Sequence, residues 1–112
     1  SDAAIQSDLS GIRTQAQIYY TTNNNYGTNG TVESSCAAAD NLFSDATVLR
    51  QVQAADTANG TTRSVTCNVA ANGTAYAVSA ELVSEASRWY CVDSTGAGTT
   101  TSAALGATAT NC

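Results

Sequence analysis

Residues 1–22 read SDAAIQSDLSGIRTQAQIYYTT, and this stretch decides the fold. Its candidate core residues recur at intervals of four, three, four and three, the spacing of one helical stripe: Ile5, Leu9, Ile12, Ala16 and Tyr19. Asn23, Asn24 and Asn25 then supply a stop, since asparagine tolerates the left-handed conformation in which helices end. We therefore predict an amphipathic helix over residues 1–22.

The next segment, residues 23–62, carries a mixed signal. Leu42, Phe43, Leu49 and Val52 have only partial helical spacing. Candidate caps and a candidate closing turn are also present: Asp40, Ser44 and Asp45, and the run Ala58-Asn59-Gly60. We predict an irregular connection between helix and sheet that contains one or two short helices.

Residues 63–93 change to a period of two. Val65, Cys67 and Val69 alternate with polar residues, and after a turn at residues 70–73 the alternation resumes from Tyr76. A third strand is predicted at about residues 87–93, with Trp89 and Cys91 on one face and Tyr90 and Val92 on the other. The prediction is a single α+β domain in which the helix stripe covers one face of an antiparallel meander.

Composition excludes most catalytic functions. The 112 residues are 43% hydrophobic and only 12% charged, and they include no His, Lys, Met or Pro. The commonest general base, the usual zinc ligand and the Schiff-base nucleophile are therefore missing. The net charge of -5 repels phosphate backbones, so nucleic acid is not an expected partner. We predict a protein that is not an enzyme and that needs no cofactor.

Acidic residues offer two weak chemical hypotheses. Glu81 with Glu85, or Asp40 with Asp45, could form a carboxylate pair of the glycosidase type, but Glu81 falls on the outward phase of its strand. Asp93, with Ser94 and Thr95, is a weak calcium candidate. Only one carboxylate is present locally, so we favour an Asx-type turn at Asp93 over a metal site.

Two further patterns have ordinary structural explanations. Asn29, Asn59 and Asn72 each begin an Asn-Gly-Thr triplet, which matches a glycosylation acceptor and is also a good turn. An aromatic ligand platform could be built from Tyr76, Trp89 and Tyr90, but aromatic residues on strands more often belong to a core.

The four cysteines predict two disulfides in an oxidising compartment. Spacing alone leaves three pairings open. Residues 95–111 contain Leu105 as their one large apolar group, so such a segment cannot offset its own ordering entropy. A tether at Cys112 would hold it, and Cys91 is the nearest partner. We favour the pairs Cys91–Cys112 and, by remainder, Cys36–Cys67.

The segments DLSGIRTQAQIYY (8–20), AYAVSAEL (75–82) and WYCVDSTG (89–96) together resemble bacterial type IV pilins and the related pseudopilins. The likeness covers the soluble half of the pilin N-terminal helix, the sheet, and the strand that opens a cysteine-closed C-terminal loop. It implies a helix over 1–22, an αβ loop over 23–62, a meander of three to four strands over 63–93 and a disulfide loop over 94–112.

The resemblance also implies a function. Pilins polymerise with copies of themselves and with other pilins into extracellular cell-surface filaments for attachment, twitching motility or DNA uptake. Members of the family begin with a hydrophobic half-helix that anchors them in the membrane before assembly, and we expect this chain to be a headpiece without that half. The competing hypotheses are a major pseudopilin of a type II secretion system and a small secreted, disulfide-bonded binding module or adhesin.

Overall fold

Helix α1 (Asp2–Asn23) opens the computed structural model, which describes residues 1–27, 36, 39–60 and 63–112. The Ser1 hydroxyl accepts a hydrogen bond from the N–H of Ala4, as an N-cap does. Asn24 adopts a left-handed conformation with φ of 59°, and its N–H donates to the carbonyl of Tyr20. The predicted helix and its asparagine stop are confirmed.

A second helix, α2 (Ala46–Asn59), occupies much of the predicted irregular connection. Asp45 caps it by accepting hydrogen bonds from the N–H groups of Thr47 and Val48, both at 3.1 Å. A 3-10 turn (Leu42–Ser44) precedes the cap, and Gly60 follows the helix with φ of 87°.

The expectation of one or two short helices is corrected by this helix, which has 14 residues. Its buried positions have regular helical spacing: Val48, Val52, Ala55 and Asn59. Two of the four are Ala and Asn, which add little apolar character to the stripe. The sequence of α2 therefore shows only a weak apolar periodicity.

Four antiparallel strands form one sheet in chain order. They are β1 (Val65–Val69), β2 (Tyr76–Glu81), β3 (Trp89–Asp93) and β4 (Gly98–Thr101). The first three confirm the predicted meander over 63–93. Strand β4 lies inside segment 94–112, which was expected to be loop, because its run of threonines lacks the apolar alternation of the other strands.

The sheet register divides the strands into two faces. Cys67, Val78 and Val92 lie opposite one another across β1, β2 and β3, and they form part of the inner face. This face packs with both helices in one core that includes Ile5, Leu9, Ile12, Ala16, Phe43, Val48, Val52, Val69, Tyr76, Val78 and Val92. The outer face carries Asn68, Ser79 and Asp93, which are also buried, so a second layer covers it.

Neither described helix is long and apolar enough to span a membrane.

Candidate functional site

The C-terminal segment after β4 is closed onto the sheet by a disulfide. Cys91, in β3, is bonded to Cys112 with an S–S distance of 2.07 Å and a Cα–Cα distance of 5.9 Å. The second disulfide joins Cys36 to Cys67 of β1, with a Cα–Cα distance of 5.0 Å. These are the two pairs that the sequence favoured, and the four sulfurs leave no free thiol.

Three polar side chains on the outer face of the sheet hold the same segment. Asn68 of β1 donates from Nδ2 to the carbonyls of Gly106 at 2.9 Å and Ala109 at 2.8 Å. Ser79 of β2 accepts a longer hydrogen bond, 3.5 Å, from the N–H of Leu105.

The third of these side chains is Asp93 of β3, whose Oδ2 accepts from the N–H of Cys112 at 2.7 Å. One side chain from each of the first three strands thus satisfies the backbone of the segment, as buried polar groups require. We call Asn68, Ser79 and Asp93 the outer-face anchors.

Asp93 is the most heavily bonded of the outer-face anchors. Its Oδ1 accepts from the N–H and hydroxyl of Thr95 at 2.9 Å and 2.6 Å, and from the N–H of Ala97 at 3.2 Å. Burial raises the pKa of Asp93, but the hydrogen bonds from Thr95, Cys112 and Ala97 outweigh burial and hold that pKa below its ordinary value.

The predicted Asx-type turn is therefore present at Asp93. Both carboxylate oxygens face N–H and O–H donors of the chain itself, which a cation would have to displace. Across the described ranges, no cluster of three or more carboxylate, cysteine or histidine groups is arranged to hold a metal ion.

The β3–β4 turn is also fixed from the helix side of the sheet. Arg13 of α1 donates from its guanidinium to the carbonyl of Gly96 at 3.0 Å. The turn is thus held by the Asp93 carboxylate at the end of β3 and by the Arg13 guanidinium from α1.

A cavity of about 250 Å³ lies beneath the C-terminal segment. Ser79 and the Cys91–Cys112 disulfide form part of its wall, and the segment itself supplies Leu105 and Asn111. The side chains that line it offer hydroxyl and amide groups but no carboxylate or guanidinium.

Comparison with known proteins gives no relative. No protein-family model, no curated protein and no solved structure matches this chain.

The predicted helix stripe lies where the helix meets the core. Ile5, Leu9, Ile12 and Ala16 are almost fully buried, at 1% exposure or less. Tyr19 is only partly buried and packs at the edge of the core. Burial raises the pKa of Tyr19, with smaller contributions from the negative charges of Asp45 and Asp40. The stripe contacts α2 as well as the sheet, because α2 packs along α1.

Two of the candidate carboxylates, Glu85 and Asp45, have structural roles. Glu85 forms an exposed ion pair with Arg88 at 3.4 Å, and Asp45 is the N-cap of α2. Tyr76 is buried against Tyr26, with ring centroids 4.9 Å apart, and burial strongly raises its pKa. Trp89 lies on the opposite face of the sheet from Tyr76, so no aromatic platform forms.

The roles of the outer-face anchors Asn68 and Ser79 were not predicted, because the alternation along their strands places them on the side expected to face solvent. A signal was available. Cys91 shares that side with them through the pairing of Ser79 with Cys91. A disulfide from Cys91 to Cys112 must therefore bring the C-terminal segment over the outer face.

Proposed function

We propose that this chain is the headpiece of a type IV pilin, a structural subunit of an extracellular filament. The observation that carries the proposal is the order of three parts along the chain: a long helix, a four-stranded sheet and a disulfide-closed segment. A 22-residue helix packs its apolar stripe on an antiparallel four-stranded meander. The segment after the sheet is closed by a disulfide to the third strand. This order matches the one that the resemblance to pilins implies.

The exposed side of α1 supports a packing role between subunits. Ala3, Ser7, Thr14 and Ile18 are exposed, and their spacing places them on one side of the helix. Ile18 is 52% exposed, more than any other large hydrophobic residue in the described ranges. Because these four positions carry no charge, a copy of the chain could pack there without desolvating an ion. The proposed partners are copies of this chain and other pilins.

The disulfides support a location outside the cytosol. Disulfides persist in oxidising compartments, and both bonds here brace parts of the chain that have few large apolar residues. The proposed location is the cell surface, in a filament whose subunits are anchored in the membrane before assembly. The proposed role is structural rather than enzymatic, and the roles of the acidic side chains in caps, turns and ion pairs favour it.

The proposal is tested by placing a charge on the exposed face of α1. Ile18→Glu should leave the fold intact but abolish surface filaments, as counted by electron microscopy of cells that naturally produce the protein. Ala54→Glu, at an exposed position of α2, adds the same charge to a different helix and should leave filament number unchanged. Normal filaments in the Ile18→Glu strain would count against the proposed packing face, and the absence of this chain from purified filaments would refute the function.

The runner-up is a major pseudopilin of a type II secretion system, in which bound calcium often orders the C-terminal loop. Here the corresponding segment is ordered by a disulfide and by N–H donors to Asp93. That difference favours the pilin. A small secreted binding module or adhesin is the alternative from another class, and it predicts no hydrophobic half-helix encoded immediately before Ser1.

A further inference from the structure

Three Asn-Gly-Thr triplets occur in the chain, at Asn29, Asn59 and Asn72. Each matches the acceptor pattern for an N-linked sugar, so the motif alone does not distinguish the three asparagines. Asn29 lies outside the described residues. The other two stand in very different environments, and that difference decides which of them can carry a sugar.

Asn59 is the last residue of α2 and is 1% exposed. Its Nδ2 donates to the carbonyl of Ser64 at 3.4 Å and to that of Glu81 at 3.2 Å. An N-linked sugar would be attached to this same nitrogen. It would remove one of the two amide hydrogens and force a bulky hydrophilic group into the packed junction between α2 and the sheet. Folded protein therefore has no room for a glycan at Asn59.

Asn72 is exposed, in the turn that joins β1 to β2. The N–H of Thr74 donates to its Oδ1 at 3.2 Å and the Thr74 hydroxyl does so at 2.6 Å. Both hydrogen bonds engage the oxygen of the side-chain amide. The nitrogen to which a sugar would be joined takes part in neither, and the hydroxyl that the acceptor pattern requires already lies beside the amide.

The turn beneath Asn72 is firmly held. Gly73 is buried with φ of 70°, its N–H donates to the carbonyl of Ala70, and its carbonyl accepts from the N–H of Tyr26. A Cβ at Gly73 would lie 2.3 Å from the carbonyl oxygen of Gly27, so the turn packs closely on the chain that follows α1. Among the residues that the structure describes, Asn72 is thus an exposed side chain on a fixed turn.

We propose that Asn72 is an N-glycosylation site. The donor is an oligosaccharide linked to a polyprenyl phosphate or pyrophosphate, used by a membrane-bound transferase in the compartment where the disulfides form. Asn72 Nδ2 attacks the anomeric carbon of the sugar, a C–N bond forms, and the C–O bond to phosphate breaks. The phosphate leaves with the bonding electron pair, and Nδ2 gives up one proton to a base of the transferase.

Trypsin provides a direct test, because cleavage after the four arginines places each triplet on its own peptide. Asn29 falls on peptide 14–50, Asn59 on 51–63 and Asn72 on 64–88. Protein isolated from the cells that naturally produce it is reduced, alkylated, digested and analysed by mass spectrometry with electron-transfer fragmentation, which leaves sugars on their residues. We expect peptide 64–88 to be heavier by the mass of at least one sugar, located on Asn72, and peptide 51–63 to have its unmodified mass.

Two variants in the same cells separate the acceptor pattern from other attachment chemistry. Thr74→Ala should return peptide 64–88 to its unmodified mass, and Thr74→Ser, which keeps the hydroxyl, should retain the sugar. An unmodified peptide 64–88 in the native protein would overturn the proposal. So would a sugar on a serine or threonine of that peptide with Asn72 bare, or a sugar on Asn59 in folded protein.

Discussion

The backbone N–H of Cys112 lies 2.7 Å from Oδ2 of Asp93, two residues along β3 from the cysteine to which Cys112 is bonded. A covalent bond and a charge-assisted hydrogen bond therefore fix the same end of the C-terminal segment. Asn68 holds the middle of that segment through two carbonyls. The segment has few large apolar groups, so it is ordered by a disulfide and hydrogen bonds rather than by the burial of apolar side chains.

Removal of the Cys91–Cys112 disulfide should free the C-terminal segment. We expect Cys91→Ser combined with Cys112→Ser to lower the free energy of unfolding by about 3 kcal/mol, because the closed loop restricts the unfolded chain. Urea denaturation measures the loss, and limited proteolysis should cut within residues 102–112.

The other disulfide provides the control. The Cys36–Cys67 disulfide closes a loop of similar length, so Cys36→Ser with Cys67→Ser should cost about as much stability while leaving residues 102–112 resistant to protease. Equal proteolysis of that segment in both double variants would contradict a local role for Cys91–Cys112.

Asp93 should make stability depend on acidic pH. Its pKa is lower in the folded chain than its ordinary value of about 3.9, so the ionised group stabilises the fold above that value. The contribution is lost as pH falls through the folded pKa. We expect Asp93→Asn to flatten the fall in unfolding free energy between about pH 5 and pH 2, measured by urea denaturation at several pH values.

Asp2 and Asp8 allow the pH dependence of the Asp93→Asn variant to be compared with that of two other aspartate variants. Hydrogen bonds from the Ser84 hydroxyl and the Val83 N–H lower the pKa of Asp2, so Asp2→Asn should flatten the same curve. Burial raises the pKa of Asp8, so its ionisation opposes folding and Asp8→Asn should steepen the acid-side fall. A curve for Asp93→Asn that matches the unchanged protein at every pH would show that Asp93 is not an anchor.

Asn68 should contribute to the free energy of unfolding, although it lies on the outer face of the sheet and not in the apolar core. Asn68→Ala removes the donor to Gly106 and Ala109 and leaves both carbonyls without that partner, so we expect a loss of about 1–3 kcal/mol in unfolding free energy. Hydrogen exchange should rise at Leu105 and Ala109. Gln53→Ala, which removes an exposed amide side chain from α2, is the control and should change neither quantity by much.

Chelation should leave the C-terminal segment unaffected, whereas reduction should release it. The N–H groups of Thr95, Ala97 and Cys112 occupy the oxygens of Asp93, the only local carboxylate that the sequence offered to calcium. We expect the melting temperature to be the same with calcium and with chelator, and to fall with reductant. A rise in melting temperature on calcium addition would favour the pseudopilin instead.

The parts of the fold that were predicted from sequence are those with a strong period. The stripe of α1 and the alternation in β1 to β3 each repeat apolar residues at the spacing of one buried face. Helix α2 was shortened in the prediction because Ala55 and Asn59 occupy half of its buried positions. A fourth strand lies within the predicted range of three to four, but its position beyond residue 93 was missed. Gly98–Thr101 is polar and mostly exposed, so its strand conformation comes from pairing with β3.

Of the candidate site, only the Cys91–Cys112 disulfide was predicted from the sequence. Tail composition indicated the Cys91–Cys112 pair, but periodicity assigns Asn68 and Ser79 merely to the face opposite the core. Whether that face meets water depends on where a distant segment lies. Such a long-range arrangement leaves no local pattern, and the position of Cys91 on the outer face was the single clue to it.

The pilin assignment is tested most directly by antibody labelling of intact cells. Antibodies raised against the folded, oxidised chain, detected with gold particles in the electron microscope, should decorate filaments along their whole length on cells that naturally produce the protein. A strain with the gene deleted should show neither filaments nor label. Label confined to the cell envelope or the medium, on cells whose filaments stay bare, would contradict the assignment.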